Sequence, residues 1–235
     1  MGSEMCIRDR HEMELASQEV INKGITSFQD AGSGWSTIEM FKRGVDEGAL
    51  QVRLWVMVRG ENLDAETLKA GRLIGYGNHM LTVRAIKLAI DGALGPRGAW
   101  LLEPYSDEPT SSGHNTGDLV EIEATANLAI ENGYQLCVHA IGDRGNREVL
   151  DIYERTFKAH PEKAPGARFR IEHAQHIHPD DVPRFGELGV IPAMQAVHCT
   201  SDAPWVTPRL GAERAENGAY VWQDLMSTGA VITNG

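Results

Sequence analysis

The segment from Tyr134 to Leu150, YQLCVHAIGDRGNREVL, constrains the fold of this chain more than any other. Alternation along an extended strand places Gln135, Cys137 and His139 on one face, so that face ends in a group that can bind a metal or transfer a proton. Asp143 is the predicted N-cap of the helix that follows. A histidine at the carboxyl end of such a strand lies where α/β barrels carry their chemistry. A single histidine here is more often a buried ring bonded to a backbone carbonyl, so the interpretation depends on whether the pattern recurs.

The pattern does recur, because strands and helices alternate about seven times along the chain. Such alternation implies parallel strands joined by right-handed crossovers, in a closed barrel or in an open doubly wound sheet. The sequence has no GxGxxG motif after its first strand and no Walker-type loop, and polar groups end several different strands, which favours the barrel. We therefore predict an α/β fold, a (β/α)8 TIM-like barrel that is incomplete, with about seven of eight strands and the first strand missing. The predicted strands are 25–30, 50–58, 84–92, 134–140, 168–175, 189–198 and 230–234, and the predicted helices, besides the one that Asp143 begins, are 11–24, 35–47, 64–73, 118–132, 179–188 and 221–228.

Composition excludes several classes of protein. With 235 residues, of which 42% are hydrophobic, the chain can bury a substantial core. The formal net charge is −11 and the basic residues are scattered, which argues against nucleic-acid binding. Cys6, Cys137 and Cys199 have no CxxC spacing, which is typical of a reducing compartment. We find no membrane-spanning apolar run and no signal peptide, so we expect a cytoplasmic protein without membrane or nucleic-acid partners.

Two further segments set the organisation of the chain. Residues 1–10, MGSEMCIRDR, lack apolar periodicity and are similar to translated sequencing-adapter sequence, so we interpret them as a non-native leader. Residues 11–235 are then predicted to form one partial barrel domain. Residues 92–117 are rich in Gly, Pro and Ser, and loops of this length in compact domains are usually functional, so we predict a lid or binding loop.

Lys87, His139 and His173 come from consecutive predicted strands, and a barrel would place them along one wall of its mouth. Imidazole nitrogens bind zinc and similar divalent ions, whereas a lysine ammonium has no lone pair and repels a cation. Lys87 therefore fits a metal site only if carbon dioxide converts it to a carbamate, which needs the neutral amine that burial favours. Two alternatives remain open: a Schiff-base lysine, as in an aldolase, and a barrel fragment without catalysis.

Four segments occur in a characteristic order: IKLAIDGALGPRGAWLLEPY, VHAIGDRGNREVLDIYE, RIEHAQ and QAVHCTSDAPW. In order and spacing they resemble the YtcJ-like branch of amidohydrolase family 3, in the amidohydrolase superfamily, over roughly residues 12–235. The resemblance implies a metal-dependent hydrolase of carbon–nitrogen bonds other than peptide bonds. It implies a small-molecule, amide-like substrate, such as an amide or an N-substituted formamide. It also implies two divalent metals per complete site, expected to be zinc, and hydrolysis by a metal-bound hydroxide.

The resemblance also assigns roles to individual residues. It makes Lys87 a carboxylated ligand that bridges two metals, and it makes His139 and His173 ligands of the second metal. The predicted substrate-binding residues are Asp91, His198 and Asp202.

The chain departs from the family pattern at both ends. No strand ending in His-x-His occurs near its start, and the expected general-base aspartate would lie beyond Gly235. We therefore assign no catalytic residue and expect a truncated, poorly active fragment, whose open sheet edges leave a homodimer as one option. His176 and His178 have the His-x-His spacing but follow a different strand, and we expect them to cap the helix at Pro179 or to face solvent.

The alternation in RFRIEHAQ raises a packing problem. If His173 points inward, Arg170 and Glu172 point toward the helix layer, where two charges need each other or a β-bulge.

Overall fold

The computed structural model describes residues 2–60 and 63–234 of the chain. The chain divides into two compact units, Met1–Lys87 and Leu88–Gly235. No helix in the described ranges is both long and apolar enough to cross a lipid bilayer.

The first unit alternates helices and strands. Its elements are α1 (Gly2–Asn22), β1 (Ser27–Ser33), α2 (Trp35–Asp46), β2 (Arg53–Val58), α3 (Ala65–Gly71), β3 (Leu73–Gly75), α4 (Tyr76–His79) and β4 (Leu81–Ala89), whose last two residues belong to the second unit. Strand β2 pairs in parallel with β1 and with β4, and β3 pairs antiparallel with β4. Val56, Val83 and Ile86 are fully buried, so the apolar strands form the core of this unit.

Two features of the first unit differ from the prediction: the start of one helix and one additional strand. Helix α1 begins at Gly2 rather than at His11, and exposed ion pairs four residues apart, Arg8–Glu12 and Arg10–Glu14, support this extension. The sequence does not predict β3, because a strand of three residues is too short to show a periodic signal.

The second unit continues the alternation. Its elements are α5 (Leu119–Glu131), β5 (Gln135–Ala140), α6 (Asp143–Ala159), α7 (Ala164–Ala167), β6 (Arg170–His173), a 3-10 turn (Pro179–Asp181), α8 (Val182–Leu188), β7 (Ile191–Met194), α9 (Ala196–Leu210), α10 (Ala212–Gly218), α11 (Trp222–Ser227) and β8 (Thr233–Asn234). Strands β5 to β8 are parallel neighbours in chain order. Their carboxyl ends therefore lie along one edge of the sheet.

An aromatic cluster holds α6 against strands β5 and β6. The ring centroids of Tyr153 and Phe169 are 4.9 Å apart in an edge-to-face arrangement, which contributes about 0.5–1.5 kcal/mol beyond burial alone. The Tyr153 hydroxyl donates to the backbone carbonyl of Arg170 at 2.9 Å, so its polar end is also satisfied. This packing fixes the two strands whose ends carry His139 and His173.

One predicted element is wrong: the strand predicted over 189–198 ends at Met194, and α9 begins at Ala196. Strand β8 pairs with the last two residues of β7. The apolar run continues to Val197, but this side chain is 63% exposed, and a short apolar run does not distinguish a strand from a helix. His198 therefore lies on a helix rather than at a strand end.

Candidate functional site

His139 lies at the end of β5, beside His173 at the end of β6. The register of these strands pairs Ala140 with His173, which brings the two ends level. The two imidazole centroids are 4.5 Å apart and the rings are edge-to-face, with an interplanar angle of 73°. The backbone carbonyl of His139 accepts the N–H of Ile90 at 3.0 Å, so the end of β5 is tied to the residue that follows β4. Two imidazoles this close are suited to a shared divalent ion.

The amide of Gln195 sets the orientation of the His173 ring. Nδ1 of His173 lies 2.7 Å from Oε1 of Gln195, and Nε2 of Gln195 donates to the backbone carbonyl of Ala193 at 3.0 Å. The second bond fixes which end of the amide is the oxygen, so Nδ1 of the neutral His173 ring carries the proton and Nε2 carries the lone pair. Metal-binding histidines are commonly oriented by such a bond to their other nitrogen.

The backbone turns sharply directly after β6. His173 has a φ of +76° and Ala174 a φ of +41°, which are left-handed values that cost non-glycine residues about 1–3 kcal/mol each. Strain of this kind clusters at functional sites, where the surrounding structure maintains it.

Arg170 and Glu172 resolve the packing problem of β6 by pairing with each other. Nε of Arg170 lies 2.7 Å from Oε1 of Glu172, and its Nη2 lies 3.0 Å from Oε2. Both side chains are buried. The expectation that the two charges need each other is confirmed.

His198 packs against His173. The two ring centroids are 5.4 Å apart and the rings are stacked, with an interplanar angle of 23°. The Tyr220 hydroxyl donates to the backbone carbonyl of His198 at 3.0 Å and so holds the first turn of α9 in place. His139, His173 and His198 therefore form one group of rings, which we call the histidine cluster.

Asp202 lies one helical turn after His198 on α9 and is held by two side chains. Its Oδ2 accepts from Nε2 of Gln175 at 3.2 Å, and its Oδ1 accepts from Oγ of Ser201 at 2.9 Å. The predicted substrate contacts of His198 and Asp202 stay predictions.

Asp91 lies buried between the end of β4 and the turn after β5. Its Oδ1 accepts the N–H of Ile141 at 3.0 Å, and its Oδ2 accepts the N–H groups of Gly142 at 2.8 Å and Trp100 at 3.0 Å. Oδ1 also lies 3.4 Å from Nε2 of His139, which is an ion-pair separation without the geometry of a directed hydrogen bond. The substrate-binding role predicted for Asp91 stays a prediction, although backbone donors bond to both of its oxygens.

The long loop before α5 docks on the start of α6. The backbone carbonyl of Trp100 accepts the N–H groups of Arg144 at 3.1 Å and Gly145 at 3.2 Å, so the loop caps this helix. Asp143 is the first helical residue rather than the N-cap, which is Gly142, and its carboxylate accepts the N–H of Leu102 at 2.9 Å. The predicted cap is therefore wrong by one residue, whereas the expectation that Asp143 helps to fix the loop is confirmed. Burial raises the pKa of Asp143.

His176 and His178 have different environments. Nδ1 of His178 accepts the N–H of Asp180 at 3.2 Å and caps the 3-10 turn, as predicted. His176 is 2% exposed, so the expectation that it caps a helix or faces solvent is wrong for this residue. Burial lowers the pKa of His176 to about 3.

Lys87, the predicted bridging ligand, is the last residue of the first unit and is 8% exposed. Its role stays a prediction. Within residues 2–60 and 63–234, no group of three or more His, Cys, Asp and Glu side chains is arranged to hold a metal ion. His139 and His173 therefore fit a metal as two ligands of a set that needs at least one more.

Gln195 and Trp100 contact the candidate site residues, and sequence reasoning does not reveal these contacts. Each acts through a neighbour distant in the chain, and the Trp100 contacts use only backbone groups. A weak signal exists for Gln195, because it is the polar residue that directly follows the apolar strand β7.

The chain is similar to known proteins in both sequence and structure. The profile of the amidohydrolase family matches residues 9–235. The chain is 37% identical over 155 residues to Protein LONG AFTER FAR-RED 3 of Arabidopsis thaliana, covering 66% of this chain and 26% of that protein. It is 31% identical over 201 residues to a Bacillus subtilis protein named as the amidohydrolase YtcJ, covering 84% of this chain and 36% of that protein.

Solved structures agree with the sequence matches. An uncharacterized metal-dependent hydrolase from Pyrococcus furiosus matches with a TM-score of 0.79 at 28% identity, covering 96% of this chain and 45% of that one. This chain therefore spans less than half the length of each of these three relatives. The likeness confirms the predicted fold, an incomplete β/α barrel. Since the family profile matches nearly the whole chain, the chain belongs to the amidohydrolase family.

Proposed function

We propose that this chain carries part of the active site of a metal-dependent hydrolase that cleaves carbon–nitrogen bonds other than peptide bonds, in amides or N-substituted formamides. The observation that carries the proposal is the 4.5 Å separation of the His139 and His173 rings at adjacent strand ends. The family membership supports the same class of reaction, as does the likeness to a metal-dependent hydrolase.

His139 and His173 would hold one divalent ion, for which zinc suits the imidazole donors. The carbamate of Lys87 is the further ligand that the family resemblance predicts. A bound ion would supply an activated hydroxide near neutral pH and would polarise the scissile carbonyl.

The remaining residues of the site orient the His173 ring and pack against it. Gln195 holds the His173 ring with the lone pair of its neutral form on Nε2. His198 stacks on that ring, and Asp202 follows one turn later on the same helix. We propose that these two side chains contact the substrate, since both are on α9, whose first turn packs on the His173 ring.

Metal content is the first test of the proposal. The chain and its His139→Ala and His173→Ala variants are loaded with Zn²⁺, dialysed and analysed for bound metal. His160→Ala is the matched control, because His160 bonds to Asn127 at 3.0 Å and is not part of the cluster. We expect both cluster variants to lose metal and the control to retain it. Equal metal content in all three variants, or an absence of metal in the parent chain, would contradict the proposal.

Thermal unfolding gives an independent measure of binding. Zn²⁺ at about 100 times its dissociation constant should stabilise the parent chain by about 2.7 kcal/mol. The same addition should leave His139→Ala unchanged. Turnover of a panel of formamides and N-acyl compounds by the metal-loaded chain then tests the reaction class.

A further inference from the structure

We propose that Asp91 is a positioning residue rather than a substrate contact, and that its carboxylate fixes the His139 ring with the proton on Nε2. The expected change in Zn²⁺ affinity rests on the proposed function. The orientation of the His139 ring does not, because it is a property of the metal-free protein.

The first observation is that backbone donors already bond to the carboxylate of Asp91. Three N–H groups from two segments, at Trp100, Ile141 and Gly142, donate to its two oxygens at 2.8–3.0 Å. The residue is only 4% exposed. A carboxylate with both oxygens bonded in this way holds two loops together and is poorly available to a substrate.

The space around the carboxylate is also closed. A Cβ atom built on Gly145 would lie 2.9 Å from Oδ2 of Asp91, and one built on Gly142 would lie 2.0 Å from the carbonyl oxygen of Trp100. Only glycine fits at these two positions, because the helix start and the loop approach each other so closely. The Asp91 carboxylate is thus enclosed by the turn that directly follows His139.

The second observation is the orientation of His139 itself. Nε2 of His139 is buried and lies 3.4 Å from Oδ1 of Asp91, without a directed hydrogen bond. A lone pair on Nε2 would lie close to the carboxylate anion and be repelled, whereas the positive end of an N–H there is attracted. The neutral His139 ring therefore carries its proton on Nε2 and its lone pair on Nδ1.

His173 shows the reverse arrangement, with the proton on Nδ1 facing Gln195. The two rings of the pair thus present different nitrogens, one set by a carboxylate and one by an amide. A carboxylate behind a metal-binding histidine is a common way to orient the ring and to increase its basicity.

The test is nitrogen NMR of the metal-free chain at a pH where both rings are neutral. The ring signals are assigned with His139→Gln and His173→Gln variants. We expect the proton of His139 on Nε2 and that of His173 on Nδ1. A proton on Nδ1 of His139 would overturn the proposal, even if no Asp91 variant folds.

Asp91→Asn removes the charge and one acceptor oxygen, and Asp143→Asn is its matched control. Asp143 bonds to the same loop, through the N–H of Leu102, but it does not contact His139. We expect Asp91→Asn to shift the proton of His139 away from Nε2 and Asp143→Asn to leave it in place. If both variants change His139 alike, or neither does, Asp91 only docks the loop and the proposal fails.

Zn²⁺ affinity completes the test. Loss of a residue that orients a ligand typically weakens metal affinity about 10–100-fold, so we expect this for Asp91→Asn and no change for Asp143→Asn. If the parent chain binds no Zn²⁺, the proposed function fails, while the NMR result still decides the role of Asp91.

Discussion

Removal of one member of the buried pair Arg170–Glu172 should destabilise the protein far more than removal of both. The pair lies on β6, directly before His173, with two hydrogen bonds of 2.7 and 3.0 Å. We consider the single changes Arg170→Met and Glu172→Leu, and the two combined.

The magnitude follows from burial. The two side chains are 6% and 7% exposed, so a single change leaves the remaining charge buried without the opposite charge of this pair. Such a loss costs about 3–5 kcal/mol. The double change removes both charges and both desolvation penalties, and for similar pairs it ranges from neutral to about 1–4 kcal/mol stabilising.

Urea unfolding followed by circular dichroism measures these free energies, provided that the slope of the transition is unchanged. The exposed pair Glu123–Arg155, whose side chains are 38% and 55% exposed, is the control and should cost about 0–1 kcal/mol when one member is removed. The reasoning is refuted if Arg170→Met costs no more than Arg155→Met, or if the double variant loses as much as the two single variants together.

Three further predictions concern groups around the site. Burial raises the pKa of Asp143, so its carboxyl contributes most to stability when it is protonated, below its unfolded pKa of about 4, and this contribution is lost as pH rises through its folded pKa. The stability of Asp143→Asn relative to the parent chain should therefore grow with pH. A difference in unfolding midpoints that stays constant with pH would contradict this. Burial lowers the pKa of His176 to about 3, so the contribution of its neutral ring to the free energy of unfolding is present above its unfolded pKa of about 6.5. As pH falls below that value, this contribution is lost by up to about 1.4 kcal/mol per pH unit. Thermal unfolding of His176→Leu should lack this part of the stability that the parent chain loses in acid. A Cβ at Gly142 would lie 2.0 Å from the carbonyl oxygen of Trp100, so Gly142→Ala should lower the free energy of unfolding in denaturant by about 1–3 kcal/mol. Gly166→Ala is the control, because a Cβ there has nothing within 4 Å, and it should not cost this much. Equal costs for the two variants would show that the loop moves away from the new Cβ without strain.

Sequence reasoning predicts the strands of this fold best where they are long and buried. β4 and β5 show as apolar runs between turn signals, and the structure places them within a few residues of the predicted bounds. The reasoning fails at β7 and α9, because the apolar run of the strand continues into the helix without a breaker.

In the candidate site too, some residues could be predicted from the sequence and others could not. His139 and His173 could be predicted because their position at strand ends is a property of local pattern. The partners that orient them could not, because Gln195 is 22 residues from His173, and Asp91 reaches the N–H of Gly142 across 51 residues. Asp91 was recognisable as a polar residue at a strand end, but its three backbone partners depend on how the long loop docks.

Gln195 connects the metal side of the site to the substrate side. It orients His173 through its side chain, and it is also the N-cap residue of α9, the helix that carries His198 and Asp202. A movement of α9 toward a bound substrate would therefore change the hydrogen bond that orients the His173 ring. His139 has no such link to α9 through its carboxylate partner, because Asp91 is fixed by backbone groups of the β5 turn and the long loop. The two histidines are thus supported differently: one by a buried carboxylate, and the other by the N-cap residue of the helix that carries the predicted substrate contacts.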